Sequence, residues 1–389
     1  MFTAQLVALV TTLITFSGLV YLLLALFAAR GFRREPLPAA PSAWPTVSVL
    51  KPVKGMDPHR YNAFASMCVQ QYGGRFELLL GMAEPADTQL LSEVERLQAE
   101  FPACSIRAIP CPDVLGSNGK VSTLLQMVPH ALGDVLIIND ADILAGPHYL
   151  TAITSAMAGP NVGFVTVPYF GRTLAKSTIW ARLESLGIAG DLLPGVFTAR
   201  MLDRGMRFGL GGTLALRRST LDAIGGLEPL LDRIADDYEL GQLVDRAGFR
   251  VVMAAEVVQT SVPQYDANEF WLHQMRWWRT IRDARPWSFF GMVVSYGLPW
   301  ALLNVVACGF ALPSVTLLSL VLLARVALLL NVGVGILRDG QVLRDIWLLP
   351  LRDTISLLLW VWAYAGNDVV WRGQRFRLTR GAMVRVAQP

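Results

Sequence analysis

The stretch that decides the fold is Asp134-Val135-Leu136-Ile137-Ile138-Asn139-Asp140-Ala141-Asp142, in which an apolar run ends in an Asp-x-Asp motif. The run predicts a buried strand, and a strand that ends in this way places both carboxylates at the carboxyl edge of a sheet. Two carboxylates this close repel each other unless a cation lies between them, so Asp140 and Asp142 are candidate ligands of Mg²⁺ or Mn²⁺. The alternative is an acidic helix N-terminus, which is common.

The residues before this strand alternate between short apolar runs and helical spacing. Strands are predicted at 46–53, 76–82 and 105–109, and helices at 61–71, 90–101 and 121–127. This alternation is typical of right-handed crossovers between parallel strands. It predicts an α/β domain with a Rossmann-like, mostly parallel sheet, whose ligands bind outside the carboxyl ends of the strands.

The second half of the domain is less regular. Its predicted strands are 162–167, 209–216 and 250–254, and its predicted helices begin near 176 and span 238–246. A further helix, rich in Trp and Arg, is predicted over 267–285.

The chain is too apolar for an ordinary soluble enzyme, and its apolar surplus is confined to a few segments. Of its 389 residues, 53% are hydrophobic, and the mean hydropathy is +0.43. Residues 1–29 carry no charge and residues 289–337 carry only Arg325, and each stretch exceeds the roughly 20 apolar residues that span a bilayer. The first stretch lacks the basic start of a signal peptide and is followed by the basic cluster 30–34. The positive-inside rule then predicts a multi-pass protein of the inner (cytoplasmic) membrane, with its central domain in the cytoplasm.

The last apolar stretch, 346–371, is interrupted by Pro350, Arg352 and Asp353 and is followed by a basic tail. A full crossing would put that tail on the wrong side of the membrane, so a re-entrant or interfacial segment is expected. Arg325, in the preceding span, is expected to pair with Asp353 or to face a polar groove.

These patterns divide the chain into six segments. They are an N-terminal transmembrane anchor (1–29), a linker (30–45), the α/β domain (46–266), an interfacial Trp- and Arg-rich helix (267–288), a transmembrane hairpin (289–337), and a re-entrant or interfacial hydrophobic segment with a basic cytoplasmic tail (338–389).

Charge and cysteine content narrow the choice of partners. The net charge is +4 and the pI is about 9.0, but the basic residues cluster beside the membrane segments, at 30–34, 276–285 and 372–385. Anionic headgroups are therefore the expected partner of these residues, and nucleic acid is not. The four cysteines lack CxxC spacing, which indicates reduced thiols and neither a disulfide framework nor a zinc site. The sequence leaves the oligomeric state open.

A second acidic pair, Asp236-Asp237, precedes a predicted helix. Group transfer to a hydroxyl needs one base that deprotonates it, and a carboxylate on a separate element suits that role. Either residue could instead be a helix cap. Lys120 ends the glycine-rich loop 116–120 at a predicted helix N-terminus, where it is placed to contact a phosphate; the alternative is a solvent-exposed loop lysine.

The helix predicted over 267–285 carries Arg276-Trp277, a pair that can hold a phosphate and a ring. Trp and Arg are also typical of the headgroup level of a membrane, so this pair, like Trp271 and Trp278, could be an interfacial anchor. The paired carboxylates, the candidate base and the Arg-Trp pair together suggest sugar transfer from a nucleotide donor. The flanking membrane segments suggest a lipid acceptor.

These motifs together resemble the ceramide glucosyltransferase family, which is family 21 of the glycosyltransferases and is close to family 2. Within that family the chain looks most like the bacterial hopanoid-biosynthesis glycosyltransferases. The resemblance covers roughly residues 45–285 and continues weakly into Trp371-Arg372-Gly373. The stretches that carry it are 49–55, 119–122, 139–143, 212–218, 235–238 and 273–282.

The resemblance implies a GT-A domain with a metal-dependent UDP-sugar site. It implies that Pro52, Glu84, Asp87, Lys120 and Asp140 bind the nucleotide sugar, that Asp140 and Asp142 bind the metal, that Asp237 is the base, and that His273, Arg276 and Trp277 form the family's (Q/R)xxRW motif. Two positions depart from the family pattern. Glu84 stands where an aspartate is usual, so Asp87 could carry the first acidic site instead. His273 replaces Gln or Arg, as in the hopanoid branch.

The expected function is a membrane-bound inverting glycosyltransferase that moves glucose or N-acetylglucosamine from a UDP-sugar to a lipid hydroxyl. The acceptor would be a ceramide-like sphingolipid or a hopanoid. One alternative is a processive polysaccharide synthase, which needs more membrane helices and usually a Gln at position 273. The other is a non-catalytic nucleotide-sugar-binding membrane protein.

Overall fold

The computed structural model describes residues 2–55, 59–84, 87–371 and 373–386. The strands are β1 (Val47–Val53), β2 (Phe76–Met82), β3 (Ser105–Pro110), β4 (Val135–Asn139), β5 (Val162–Thr166), β6 (Tyr169–Arg172), β7 (Thr213–Arg217), β8 (Arg250–Met253), β9 (Val258–Ser261), β10 (Asp368–Trp371), β11 (Gln374–Thr379) and β12 (Ala382–Arg385). The helices are α1 (Phe2–Arg33), α2 (Arg60–Cys68), α3 (Thr88–Glu100), α4 (Gly119–Met127), α5 (Tyr149–Met157), α6 (Ile179–Gly187), α7 (Leu193–Leu202), α8 (Arg218–Ala223), α9 (Asp236–Arg246), α10 (Ala267–Ala284), α11 (Pro286–Gly291), α12 (Gly297–Ala307), α13 (Leu312–Leu329), α14 (Gln341–Asp345) and α15 (Leu349–Ala363).

The central sheet has seven strands in the order β3-β2-β1-β4-β7-β5-β8. β1 pairs in parallel with β2 and β4, and β2 pairs in parallel with β3, as the alternation of strands and helices predicts. β7 runs antiparallel to both of its neighbours, β4 and β5, which accounts for the irregular pattern of the second half. The chain moves outward from β1 in opposite directions to β2 and to β4, so the ligand crevice of such a sheet lies at the carboxyl ends of β1 and β4.

The continuous apolar run of β4 reflects burial on both faces of the sheet. Val135 and Ile137 pack into one core and Leu136 and Ile138 into the other, and all four are at most 2% exposed. A strand covered by helices on both sides needs apolar residues at every position, which is why the run does not alternate.

Several helices carry the apolar surplus. Three segments among the described residues are long and apolar enough to cross a membrane: Thr3–Arg33, Leu312–Val334 and Gln341–Ala363. A fourth candidate is the pair Pro286–Ser295 and Gly297–Ala307, which is bent by 53° and is either a broken span or a re-entrant loop. The first arm of the predicted hairpin is therefore bent and not straight.

Small and polar residues hold α1 against α12. A Cβ at Gly18 would lie 2.9 Å from Val294 O and 3.2 Å from Gly297 Cα, so only glycine allows this approach of the backbones. Farther along, Thr12 Oγ1 donates to Asn304 Oδ1 at 2.7 Å.

A buried ion cluster joins these helices to the α/β domain. Arg325 pairs with Asp353 at 2.6 Å, which confirms that prediction, and also with Asp191 at 2.6 Å. Arg352 donates to Asp191 at 2.8 Å. Asp191 lies in the π turn Ile188–Leu192 between α6 and α7, so one carboxylate holds α13 and α15 to the domain.

The end of the chain is a folded sheet. Residues 338–389 were predicted as a hydrophobic segment with a basic tail, but Asp368–Trp371, Gln374–Thr379 and Ala382–Arg385 form a three-stranded antiparallel sheet. Its buried residues pack with Ile234 and Ala235 of the α/β domain. Arginines alternate here with apolar residues, so the charges face outward while the sheet keeps a core.

Candidate active site

The carboxyl end of β4 is the centre of the candidate site. β4 ends at Asn139, whose buried amide donates to Gly212 O at 2.8 Å and fixes β4 to the start of β7. The chain turns directly after Asn139, so Asp140 and Asp142 lie beyond the strand, at the carboxyl edge of the sheet. They take different partners.

Asp142 is held by the parallel ladder of β6 and β9. Its Oδ2 accepts a hydrogen bond from Thr260 Oγ1 at 2.5 Å and another from Ser261 N at 3.0 Å. Burial raises the pKa of Asp142, and the nearby charge of Asp140 raises it further. The repulsion predicted from the Asp-x-Asp motif is therefore present, and a cation would relieve it.

Lys120 lies at the centre of the carboxylate cluster. Its Nζ is 2.7 Å from Asp140 Oδ1, 3.6 Å from Asp236 Oδ2 and 3.4 Å from Gly211 O. The side chain is only 10% exposed, so the alternative of a solvent-exposed loop lysine is wrong. Burial alone would lower the pKa of Lys120, but Asp140 and Asp236 outweigh burial and raise it, so the ammonium stays charged. The N-cap of α4, Asn118, accepts from Lys120 N at 3.0 Å and fixes the position of this residue.

Asp236 and Asp237 are the first two residues of α9. The N-cap position is Ala235, which has no side-chain capping bond, but Asp237 Oδ1 accepts from Tyr238 N in the first turn at 2.8 Å. The capping interpretation therefore holds in part for Asp237. Burial raises the pKa of Asp237 to about 6, and the charge of Asp236 adds to the rise while Lys120 opposes it. A Cβ at Gly211 would lie 3.3 Å from Asp237 Oδ2, so a glycine there keeps the carboxylate uncrowded.

A second lysine lies beneath the turn after β4. Lys51 is fully buried, and its Nζ donates to Asp140 O and to Ile143 O, each at 3.0 Å. Burial lowers the pKa of Lys51 to about 7, against the opposing charges of Asp142 and Asp140. These two bonds fix the backbone that presents the Asp-x-Asp carboxylates.

Three further residues predicted to bind the nucleotide sugar, Pro52, Glu84 and Asp87, lie at or near the ends of β1 and β2. Pro52 is buried in β1 beside Gly81 of β2, and Glu84 is exposed just beyond β2. Asp87 is the N-cap of α3, where it accepts from Leu90 N at 2.9 Å, and it also pairs with Arg60 at 3.4 Å. These contacts explain Asp87 as a structural residue, and a role of Glu84 or Asp87 in nucleotide binding stays a prediction.

The three residues of the predicted (Q/R)xxRW motif lie on one face of α10. His273 Nε2 is 2.9 Å from Arg276 Nη2, and the rings of His273 and Trp277 have centroids 5.2 Å apart. The Arg276 guanidinium lies 6.0 Å from the ring centroid of Trp371 in β10. The helix begins with a capping box between Asp266 and Glu269, which sets its start.

The match to known families decides the identity. The model of glycosyl transferase family 21 matches residues 10–384, nearly the whole chain. The chain belongs to glycosyltransferase family 21. The family resemblance stated from the motifs is thus confirmed, and the chain is an enzyme that transfers a glycosyl group.

Two relatives of this glycosyltransferase come from Caenorhabditis elegans. Ceramide glucosyltransferase 1 is 22% identical over 373 residues, which cover 91% of this chain and 75% of the relative. Ceramide glucosyltransferase 3 is 21% identical over 283 residues, which cover 69% of this chain and 59% of the relative. The matched part thus spans less than two thirds of the second relative.

A solved structure shows the same fold. It is the mannosyltransferase PcManGT from Pyrobaculum calidifontis, in complex with GDP-Man and Mn²⁺, which superposes with a TM-score of 0.55 at 17% identity. The superposition covers 93% of this chain and 97% of the mannosyltransferase. The predicted fold class, a GT-A domain with an apolar helix before it and candidate membrane spans in the C-terminal region, is confirmed.

Glu184, which the sequence did not single out, holds the predicted (Q/R)xxRW motif of this glycosyltransferase in place. Glu184 on α6 is 5% exposed, and its Oε2 lies 3.0 Å from His273 Nδ1 and 3.3 Å from Gln274 Nε2. Gln274 Oε1 in turn accepts from Arg352 Nη1 at 3.0 Å. The only signal in the sequence is a carboxylate in a mostly apolar helix, and such a pattern does not identify its partner.

Proposed function

We propose that this chain is a membrane-bound inverting glycosyltransferase that moves glucose or N-acetylglucosamine from a UDP-sugar to the hydroxyl of a lipid. The observation that carries the proposal is the meeting of Asp237, Lys120 and Asp140 at the carboxyl edge of the sheet. A carboxylate with a pKa near 6 can accept a proton at neutral pH, and a fixed ammonium group beside it can neutralise a leaving diphosphate.

The carboxylates of Asp140 and Asp142 suit a divalent cation that binds together with the substrate. No group of three or more His, Cys, Asp or Glu side chains in the described part of the chain is arranged to hold a metal ion. Mg²⁺ needs only one or two protein carboxylates when substrate phosphates supply further oxygens. Asp140 and Asp142 would hold Mg²⁺ or Mn²⁺, which would neutralise charge on the diphosphate. The Mn²⁺ bound with GDP-Man in the mannosyltransferase PcManGT supports this assignment.

The residues of the chain account for the remaining steps. Asp237 removes the proton of the acceptor hydroxyl as its oxygen attacks the anomeric carbon. The bond to UDP breaks on the opposite face, and Lys120 and Arg276 stabilise the departing diphosphate. No second carboxylate is assigned as a nucleophile, so a single displacement converts an α-linked donor into a β-glycoside.

The acceptor is proposed to be a lipid because apolar helices adjoin the site. α10 leads directly into α11, where Trp287 and Phe290 are 87% and 59% exposed. α15 exposes Leu358, Val361 and Trp362. Rings and aliphatic side chains exposed in this way suit the headgroup level of a bilayer.

The contacts at the two ends of α15 support a proposed placement of this helix. Arg352 in its first turn is bound to Asp191, and Arg282 of α10 donates to Ala363 O at its last residue. One end of α15 thus contacts the α/β domain and the other contacts α10. We therefore propose that α15 lies along the inner (cytoplasmic) membrane surface, with the catalytic domain in the cytoplasm. The lipid hydroxyl would then reach Asp237 while its hydrocarbon stays in the bilayer.

Lipid analysis tests the proposal. A bacterial host supplied with ceramide or a hopanoid should accumulate a new monohexosyl or N-acetylhexosaminyl lipid when it expresses the wild-type chain, as detected by mass spectrometry. Asp237→Asn should not produce it. A long polysaccharide in place of a monoglycosylated lipid would favour the processive synthase.

A further inference from the structure

A cavity of about 200 Å³ lies at the carboxyl edge of the central sheet, beside the carboxylate cluster. One side of it belongs to the α/β domain and the other to the C-terminal sheet. The residues that matter here are Lys54 and Lys120 on the first side and Trp371, Gln374, Phe376 and Arg385 on the second. The segment predicted as a basic tail thus forms a wall of the space in which a GT-A enzyme receives its ligand.

Direct bonds hold this wall in place. Met383 N of β12 donates to Asp232 O at 2.7 Å, and the side chain of Asp232 accepts from Ser117 N at 2.8 Å. Ser117 lies in the loop that lines the cavity from the opposite side. On the other edge of the sheet, Arg279 of α10 donates to Asp368 O. Asp232 therefore bonds to both walls of the cavity, and Arg279 holds the C-terminal sheet at its other edge.

The charges of the cavity select an anion. Lys54, Lys120 and Arg385 line it together with one acidic residue, Asp113. Lys120 also contacts Asp140, so a ligand that extends from the cavity to the carboxylate cluster passes its ammonium group. That position suits a diphosphate.

The size and rings of the cavity indicate which part of the ligand it holds. Sites for whole small molecules measure roughly 300–1,000 Å³, so this cavity fits only part of a nucleotide sugar. Trp371 and Phe376 provide aromatic surface, on which nucleobases stack. The Arg276 guanidinium contacts the Trp371 ring, which links this wall to the motif on α10.

We propose that the C-terminal sheet is part of the donor site, with Trp371 packing on the base of the nucleoside diphosphate and Arg385 adding positive charge near its phosphates. This inference rests on the proposed function, because it assumes a nucleotide donor. It assigns to residues 368–385 a binding role in place of attraction to anionic lipid.

Nucleotide affinity of the purified full-length chain in detergent tests the assignment. Trp371→Ala should weaken UDP binding in calorimetry roughly tenfold, as the loss of one base–aromatic stack predicts, without changing competition by inorganic pyrophosphate. Trp371→Phe should restore most of the affinity. Arg385→Ala, at an exposed position, should weaken both UDP and pyrophosphate severalfold. The controls are Val384→Ala and Arg377→Ala, which are exposed on the same sheet but do not line the cavity, and they should bind UDP as the wild type does.

Three outcomes are decisive. If the wild type binds UDP and both Trp371→Ala and Arg385→Ala bind it with the same affinity, the assignment is overturned and the proposed function stays intact. A wild-type chain that binds no UDP would overturn the proposed function itself, and the assignment with it. If Trp371→Ala melts at a lower temperature than the wild type, the test rests on Arg385→Ala alone. In that case, UDP affinity equal in Arg385→Ala and Arg377→Ala would overturn the assignment.

Discussion

Asp237 owes its raised pKa to burial and to the like charge of Asp236 next to it, and both causes follow from its place in the first turn of α9. A general base works only when deprotonated, so kcat/KM should fall as the pH drops below about 6. Removing the neighbouring charge should make Asp237 easier to ionise.

The first prediction is therefore a shift of the acid limb in Asp236→Asn. The pH profile of kcat/KM should move to lower pH, because the pKa of Asp237 falls when Asp236 no longer repels its negative charge. Asp222→Asn removes the same charge at an exposed position on α8 and should leave the profile in place. An acid limb that stays at the same pH or moves to higher pH in Asp236→Asn would contradict the assignment of Asp237 as the base.

The Asp-x-Asp carboxylates carry the second prediction. Adding Mg²⁺ or Mn²⁺ with UDP should raise the melting temperature of the wild type, because the cation relieves the repulsion between Asp140 and Asp142. Asp142→Asn should lose that rise and should lower turnover at least about 100-fold. Full activity in excess EDTA would exclude the metal role.

At the scale of single elements, two hydrogen bonds of α10 and α6 determine which nitrogen of the His273 ring carries the hydrogen. The Arg276 guanidinium can only donate, so His273 Nε2 accepts from it, and Nδ1–H then points to the Glu184 carboxylate. Glu184 thus positions His273, which in turn positions Arg276, the residue proposed to stabilise the departing diphosphate.

The third prediction follows from this chain of bonds. Glu184→Ala should lower kcat about tenfold or more with little change in the UDP dissociation constant, because Arg276 loses its orientation. Glu184→Gln, which keeps an acceptor oxygen, should recover part of the loss. Glu95→Gln, exposed on α3, is the control and should behave as the wild type. Equal losses in Glu184→Ala and Glu184→Gln would mean that the charge of Glu184 matters and not its hydrogen bond.

The elements themselves were largely predictable. Strands β1 to β4 and their helices follow from apolar runs and helical spacing, and β2 has the predicted bounds. The pairing of Glu184 with His273 was not predictable, because contacts between residues 89 positions apart depend on how α6 and α10 pack. Trp278, grouped by composition with membrane anchors, is 5% exposed and packs against Phe289 and Tyr296.

On the scale of the whole molecule, the ion cluster couples the membrane helices to the catalytic domain. Breaking a buried ion pair leaves an uncompensated charge and typically costs about 3–5 kcal/mol. Arg325→Met should therefore lower the melting temperature in detergent substantially, whereas Leu323→Ala, exposed on the same helix, should not.

A double-mutant cycle completes this fourth prediction. Arg325→Met combined with Asp353→Leu should be more stable than the sum of the two single losses predicts, because the double change leaves neither of these charges behind. Additive losses would show that Arg325 and Asp353 do not act as a pair.

The C-terminal sheet was predicted as a basic tail because its arginines were considered without their spacing. Five arginines between 372 and 385 suggested a basic tail at the membrane surface. The alternation Arg375-Phe376-Arg377-Leu378 is the period of a strand, and that signal could have identified the sheet. Its partners, Ile234 and Ala235, lie more than a hundred residues earlier, so the sequence does not show where it packs.

The central claim is that Asp237 is the base of a glycosyl transfer whose donor is held at Asp140 and Lys120. The most direct measurement compares turnover and UDP affinity of full-length Asp237→Asn with those of the wild type and of Asp236→Asn. The account predicts that Asp237→Asn loses transfer while its UDP dissociation constant changes little, and that Asp236→Asn retains much more activity. Substantial transfer by Asp237→Asn, or a greater loss in Asp236→Asn, would contradict it.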